Sequence, residues 1–422
     1  MRKLLFVVLS GMADRPLPEF GDRTPMEAAR TPLLDGLAAS GQMGQLWAVA
    51  PDIAPESDAA AMSLLGYELD QYYTGRGPLE ALGNGLDMQE GDLAWRANFA
   101  TGDSGWNIVD RRAGRSLGDT EARELADAVQ KDVHLPGASI QFVQSAGHRG
   151  CLVIRSTEGA LSSAVENIDP AYQRRGPFSV AVPTPGMTAA RARPLDESAA
   201  AQRAADLSNS FVEQAFEVLD QHPVNLRRRD LGFLPGNFLL LRDAGDRLPR
   251  LPPFVDRYGL RLGAVVETSV EKALAQLSGL ELMRLARATG NPERDYNDWA
   301  LRTDEALTSM DGAYVHIRAA DVPSHDGDAD QKRQAIEDIE RFYFGRLAEL
   351  VDMDALLVCV TVDHMTPVIL GSHSNDPVPF LVTGGLEPGS ASAFTEANAA
   401  GGSFGWLMGP ELMPRLAALV RG

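Results

Sequence analysis

The residues best suited to chemistry crowd into two short stretches. The first runs from Leu356 to Phe380 and reads LLVCVTVDHMTPVILGSHSNDPVPF. Its opening run, Leu356 to Val362, is apolar and rich in β-branched residues, which suits a strand buried on both faces. Asp363 and His364 stand at the end of that run, and His373 and Asp376 follow in a loop bracketed by Gly371 and Pro377. The second stretch repeats the design. Ala313 to Ile317 reads as a strand, and Asp321 and His325 lie in the loop after it. If that loop opens a helix, the spacing of these two puts them on one face. Ligands of open α/β sheets bind beyond the carboxyl ends of the strands, and carboxylates and imidazoles presented there suit a divalent cation. One such Asp-His pair is usually an ordinary loop. Two of them, holding three of the seven histidines, point to a metal centre.

A nucleophile candidate lies far upstream. Ser57 and Asp58 open a segment of small apolar residues, AAAMSLLGY, that reads as a helix. Capping is the ordinary role of a serine there. A helix N-terminus also favours an anionic oxygen or a nearby phosphate, and a serine facing a cation can act as a nucleophile. Leu4 to Leu9 reads as a buried first strand, with Ser10 to Arg15 as the loop at its carboxyl end. The opening MRKLLFVVLSGMA resembles a signal peptide, but its apolar part is short for one.

The elements between these stretches change in texture. Thr31 to Ser40 reads as a helix, with Pro32 at its start, and Trp47 to Ala50 as a short strand. From about Asp87, segments such as Gly91 to Thr101 and Asn107 to Arg115 alternate apolar and polar residues like half-exposed strands. Ile140 to Val143, Cys151 to Arg155 and Phe238 to Arg242 read as further strands, and Asp119 to Val133 and Ala199 to Gln221 as helices. The proline-rich DRLPRLPP, residues 246–253, reads as a stiff hinge. Beyond it Leu260 to Val266 is again a wholly apolar strand, and Gln331 to Val351 and Pro410 to Val420 are amphipathic helices. The pattern predicts a parallel-sheet domain, residues 1–86 and 251–422, split by an inserted α+β domain, residues 87–250, that closes over it.

Bulk properties narrow the class. A chain of 422 residues, 44% hydrophobic and 23% charged, builds a sizeable core. A net charge of −19 argues against a nucleic-acid partner, and no apolar run approaches the ~20 residues of a membrane span. Cys151 and Cys359 sit in apolar strand-like runs, so buried inert thiols are expected. A cytoplasmic enzyme acting on a small substrate is expected, with a homo-oligomer left open. Lysine is confined to Lys3, Lys131, Lys272 and Lys332, so arginine carries the positive charge.

Longer motifs in one order carry a resemblance. They are SGMADRP (10–16), TPMEAARTPLLDGLA (24–38), SDAAAMSLLGY (57–67), YYTGRGPLEALGNGLD (72–87), DRRAGR (110–115), GHRGCLVIR (147–155) and HPVNLRRRDLGFLPGN (222–237). With HIRAADVPSHDGD and the Asp363 loop, they make the chain resemble the archaeal-type cofactor-independent phosphoglycerate mutases of the alkaline phosphatase superfamily. The resemblance implies an alkaline-phosphatase-like fold and glycolytic interconversion of 3- and 2-phosphoglycerate without 2,3-bisphosphoglycerate. It implies two divalent ions, manganese first, with zinc or cobalt as alternatives. Asp321, His325 and His373 match the ligands of one ion, and Asp363 and His364 ligands of the other. Ser57 matches the residue that carries the phosphoryl group and contacts the second ion, and Lys272 a lysine that reaches toward it. Arg111, Arg112, Arg149, Arg227 and Arg228 are the candidates for binding the substrate's phosphate and carboxylate.

The main departure is Ser10, where the family carries a metal-binding aspartate. A neutral hydroxyl is a poorer ligand than a carboxylate. The alternatives are therefore a phosphotransferase on another small substrate, as in a homoserine kinase, or a catalytically impaired paralogue that binds a phosphorylated metabolite.

Overall fold

A computed structural model describes residues 2–182 and 187–422. The chain forms two compact units, Met1–Tyr72 with Arg250–Gly422, and Tyr73–Pro249. The helix Arg76–Gly83 belongs to the second.

The first unit is built on an eight-stranded sheet. In spatial order its strands are Glu281–Leu282, Leu262–Val266, Gly312–Ile317, Lys3–Leu9, Leu356–Thr361, Val378–Thr383, Gln42–Trp47 and Gly405–Met408. All neighbours run parallel except around Val378–Thr383, which is antiparallel to both its partners. The central strands are mostly apolar because both their faces are buried.

Register explains how residues some three hundred positions apart meet. Leu9 pairs with Ile317, and Val8 with Thr361. The loops that begin at Ser10, Arg318 and Val362 therefore leave the sheet side by side at its carboxyl edge. The Ser10 N–H donates to the Ile317 carbonyl at 2.8 Å, extending the ladder one step into the loop.

Expected elements and found elements differ in a few places. The strand expected at Trp47–Ala50 lies earlier, at Gln42–Trp47, where Val378–Thr383 and Gly405–Met408 flank it. Those partners are remote in sequence, so local alternation misplaces its bounds. Only Ile108–Asp110 of the Asn107–Arg115 stretch is strand, and a 3-10 turn, Ala113–Arg115, follows. The long helix expected over Gln331–Val351 is interrupted by a π-helical segment, Ile339–Phe344.

The second unit carries a five-stranded sheet in which Leu93–Gly102 pairs antiparallel with Phe238–Gly245, Arg149–Ser156 and Ile108–Asp110. It has a core of its own, in which Trp95, Phe99, Phe142 and Phe238 pack with Leu125 and Phe211 from the helices Asp119–Asp132 and Ala199–Asp220.

One buried ion pair ties the loops of the first unit together. Lys332, on the helix Ala329–Asp338, is fully buried. Its Nζ donates to Asp14 Oδ2 at 2.7 Å and to the carbonyls of Ala13 and Thr366 at 3.0 Å each. Asp14 in turn accepts from the Val368 and Arg15 N–H groups. The loops after Lys3–Leu9 and Leu356–Thr361 thus share one cation. Removing one partner of such a pair strands the other charge in the interior, at a cost of about 3–5 kcal/mol. Lys332→Met should lower the urea midpoint accordingly, and adding Asp14→Asn to it should recover part of the loss.

Candidate functional site

The site of the first unit is assembled where those loops leave the sheet. Gly11 makes the assembly possible. Its φ is +66°, and a Cβ there would stand 2.8 Å from the Asp321 Cα and 2.9 Å from its Oδ1. The loop after the first strand can lie against Asp321 only without a side chain at this point. Left-handed backbone costs about 1–2 kcal/mol for an L side chain, and overpacking adds about 1–3 kcal/mol. Gly11→Ala should therefore destabilise the fold by at least about 2 kcal/mol, read by chemical denaturation.

Asp321 opens the short helix Asp321–Asp326, which brings His325 onto its face as the spacing predicts. Asp321 Oδ1 lies 3.4 Å from His325 Nε2 and 3.6 Å from His373 Nε2. Ligand atoms of the three fall within 4.8 Å of one another. The far side of each imidazole is fixed: His325 Nδ1 sits 2.9 Å from the Gly371 carbonyl and His373 Nδ1 2.7 Å from that of Pro55. A carbonyl only accepts, so both Nδ1 atoms carry the proton and both Nε2 atoms turn inward. This is the arrangement of imidazoles that bind a cation while a backbone acceptor holds them from behind. The donor set therefore fits one divalent ion.

Electrostatics reinforce the set. Burial would raise the Asp321 carboxyl, but a hydrogen bond from His373 and the Arg318 charge hold it well below the usual carboxylate range. Burial opposes the charge on His373, yet Glu56 and Asp321 push it up to about 9. Burial takes His325 down to about 4 against the pull of Asp321. Arg318 Nη2 donates to Asp321 Oδ2 at 2.7 Å.

The other candidate residues form an adjoining set. Asp363 is wholly buried, and Gly11 N–H and His364 N–H donate to its Oδ1 at 3.1 and 2.9 Å. Its Oδ2 accepts the Ser10 hydroxyl at 2.9 Å. Burial would raise this carboxyl too, but the charge of His364 and a hydrogen bond from His316 keep it well below the usual range. Ser57 is the first residue of the helix Ser57–Leu64, not its cap, which is Glu56. Its Oγ lies 3.0 Å from His364 Nε2. Thr366 joins the two sets: its Oγ1 is 2.9 Å from His364 Nδ1 and 3.2 Å from Asp321 Oδ1.

Some candidates lie elsewhere. Lys272 is exposed on the helix Ser269–Ser278, while its neighbour Glu271 is buried with Oε1 4.0 Å from His316 Nδ1. The structure brings Glu271, not Lys272, toward the site. His316, whose Nε2 is 3.3 Å from Asp363 Oδ2, and Thr366 escaped the sequence reading. The signal was available, since His316 stands next to the last residue of an apolar strand just before the Asp321 loop.

In the second unit, arginines share one electrostatic field. Burial and the charges of Arg242, Arg76 and Arg149 pull Arg96 down to about 9. Burial and the charges of Arg149 and Arg112 take His148 down to about 3. So much like charge in one region favours an anion. Arg112 and Arg149 belong to this group, and Arg96 and Arg242 are additions to it. The Arg242 guanidinium lies 3.5 Å from the centroid of the Tyr172 ring. Arg111 is instead committed to Asp169 through two hydrogen bonds, 2.9 and 2.7 Å. Arg228 is a buried tie, donating to Glu121 and to the Ser116 and Leu234 carbonyls. Arg227 is exposed, 3.9 Å from Glu124.

No helix among the described residues is long and apolar enough to cross a membrane. Comparison with known proteins bears on the whole chain. Residues 38–225 match the family model of 2,3-bisphosphoglycerate-independent phosphoglycerate mutase. A protein of that name from Aeropyrum pernix is 42% identical, with all of both chains covered. The cofactor-independent phosphoglycerate mutase of Thermoplasma acidophilum, a solved structure, is 32% identical with all of both chains covered and a TM-score of 0.63. A solved Pyrococcus horikoshii protein, 28% identical, aligns over 100% of this chain and 97% of its own with a TM-score of 0.79.

Proposed function

Because the chain belongs to the 2,3-bisphosphoglycerate-independent phosphoglycerate mutase family, we propose that it interconverts 3- and 2-phosphoglycerate in the cytoplasm through a phosphoserine on Ser57. What supports this reading most directly is the 3.0 Å contact of Ser57 Oγ with His364 Nε2 at a helix N-terminus, in a set joined through Thr366 to Asp321. Ser57 Oγ takes the phosphoryl group as the bond from phosphorus to O3 of glycerate breaks. The reverse displacement by O2 returns it to the neighbouring position. The Ser57 proton goes to solvent, and the N–H groups of the first helical turn favour the anion that results. Within the second unit, the field of Arg96, Arg112, Arg149 and Arg242 suits an anionic group such as a phosphate or a carboxylate.

Asp321, His325 and His373 would hold one divalent cation. Asp363, His364 and Ser57 would hold a second, with Ser10 supporting Asp363 instead of adding a carboxylate. Manganese is the ion favoured, with zinc or cobalt as alternatives. Bound cations would neutralise phosphate charge and favour the ionised serine. No bisphosphoglycerate enters this scheme.

Metal content by elemental analysis and turnover of 3-phosphoglycerate test the reading together. Bound metal, turnover, and acid-stable phosphoprotein that disappears in Ser57→Ala are expected. Ser57→Ala should also lose about 10⁴-fold or more in kcat. Metal-loaded protein that neither turns over phosphoglycerate nor forms phosphoserine would overturn it. One observation favours a second reading, binding of a phosphorylated metabolite without turnover: the neutral Ser10. Turnover that appears only in Ser10→Asp would select it.

A further inference from the structure

The first unit has a further concavity at the carboxyl edge of its sheet. A cavity of about 480 Å³ lies at the end of the strand Gly312–Ile317. Its wall is made by that strand end, by the loop of residues 285–290 and by the start of the helix Pro292–Ser309. The volume suits a small organic molecule. Neither Ser57 nor any member of the Asp321 and Asp363 donor sets lines it.

The wall is built, although its loop is exposed over residues 286–290. Asp298 Oδ2 accepts the Ala286 N–H at 2.7 Å. Asp295 accepts the Thr289 N–H at 2.9 and 3.0 Å, the Thr289 hydroxyl at 2.7 Å and the Gly290 N–H at 3.0 Å. Two acidic side chains of one helix thus fasten the loop that faces it. Burial opposes the charge on Asp295, but the bonds from Thr289 and Gly290 and the charge of Arg294 hold its carboxyl below the usual value.

Those bonds decide the charge that a ligand meets. Asp295 and Asp298 are committed to the loop, which leaves Glu267 as the remaining acid of the wall. Against it stand Arg287, Arg294 and Arg318. Neither Arg287 nor Arg294 forms an ion pair among the described residues. In a chain of net charge −19 this is a local reversal of sign. Trp299, 8% exposed, supplies an aromatic wall. Tyr296 lies beside it, and burial with the charges of Asp338, Glu267 and Asp295 pushes its hydroxyl above the usual value, so it remains a donor.

We propose that this cavity binds a small organic anion, with its phosphate or carboxylate at Arg287 and Arg294 and its apolar body against Trp299. The guanidinium fork matches either oxyanion. Arg318 connects the cavity with the first donor set, since it lines the one and donates to Asp321 Oδ2 of the other at 2.7 Å. A bound anion and Asp321 draw on the same positive charge.

The test is ¹H–¹⁵N NMR of the chelated full-length protein, read at the indole signals of its five tryptophans, with Trp299 assigned from Trp299→Phe. The probe is phenylphosphonate, which carries an oxyanion and an aromatic body and has no ester bond to transfer. The Trp299 signal should shift saturably, with a half-point in the millimolar range or below. Replacing both arginines, Arg287→Ala with Arg294→Ala, should raise that half-point about tenfold or more, the range for losing hydrogen bonds to a charged group. Benzyl alcohol, with the same ring and no charge, should bind at least about tenfold more weakly than phenylphosphonate. A Trp299 signal that phenylphosphonate leaves in place overturns the proposal. So does equal binding of benzyl alcohol, or an unchanged half-point in the double variant. The comparison of the two probes decides on wild-type protein alone, even if the double variant does not fold. No substrate is present, so a protein that binds phenylphosphonate here and turns over no phosphoglycerate would refute the proposed function and leave this site standing.

Discussion

The site depends on the first strand lying between two strands from the other end of the chain. Lys3–Leu9 pairs in parallel with Gly312–Ile317 on one side and with Leu356–Thr361 on the other. Parallel pairing fixes which residues emerge together, because all three strands end at the same edge. A slip of one residue would shift which loop residues emerge together at that edge. The apolar sequence of the three strands secures the sheet in the core, and the polar residues begin where the apolar run stops. Ser10, Asp321 and Asp363 owe their proximity to that shared edge, and Gly11 allows the last approach to Asp321.

Buried charge is the second constraint. Asp14, Asp321 and Asp363 are each about 1% exposed or less, and each is held by a different kind of partner. Asp14 has the Lys332 ammonium, Asp321 has Arg318 and imidazoles, and Asp363 has imidazoles, backbone N–H groups and the Ser10 hydroxyl. An unpaired carboxylate at that depth costs several kcal/mol. The network therefore explains its own rigidity: no member can move without exposing another to the same penalty. Lys332 serves the site at a distance, since it fixes the backbone of Ala13 and Thr366 between which the donors sit.

Much of this was legible in the residues. The strand ends were marked by the switch from β-branched runs to Asp and His, and Asp321, His325 and His373 converge as their types suggested. Ser57 opens a helix, one residue inside the boundary that its type suggested. Strand pairing was not legible where partners were remote, as at Gln42–Trp47. Arginine roles were not legible either, because Arg111 and Arg228 look like Arg112 and Arg149 until Asp169 and Glu121 are seen beside them. Lys272 was matched by motif, and only the helix phase shows Glu271 turned inward in its place. Thr366 stayed invisible because a hydroxyl between a carboxylate and an imidazole has no signature in spacing.

Ser10 is where these constraints meet. A carboxylate at this position would stand against Asp363 and need a cation between them. The hydroxyl instead donates to Asp363 Oδ2 and neutralises nothing. The adjoining set then carries one negative charge from Asp363 where two would have stood. A second cation in the proposed reading loses the attraction of one carboxylate, while the geometry that would receive it is kept by Gly11, His364 and His316 around Asp363. The Asp321 set loses nothing by this substitution, since Ser10 is bonded to Asp363 and Asp321 draws on Arg318, His325, His373 and Thr366. In the proposed reading, position 10 therefore bears on how tightly a second ion would be held, and hence on how readily Ser57 would ionise, and leaves the first donor set untouched.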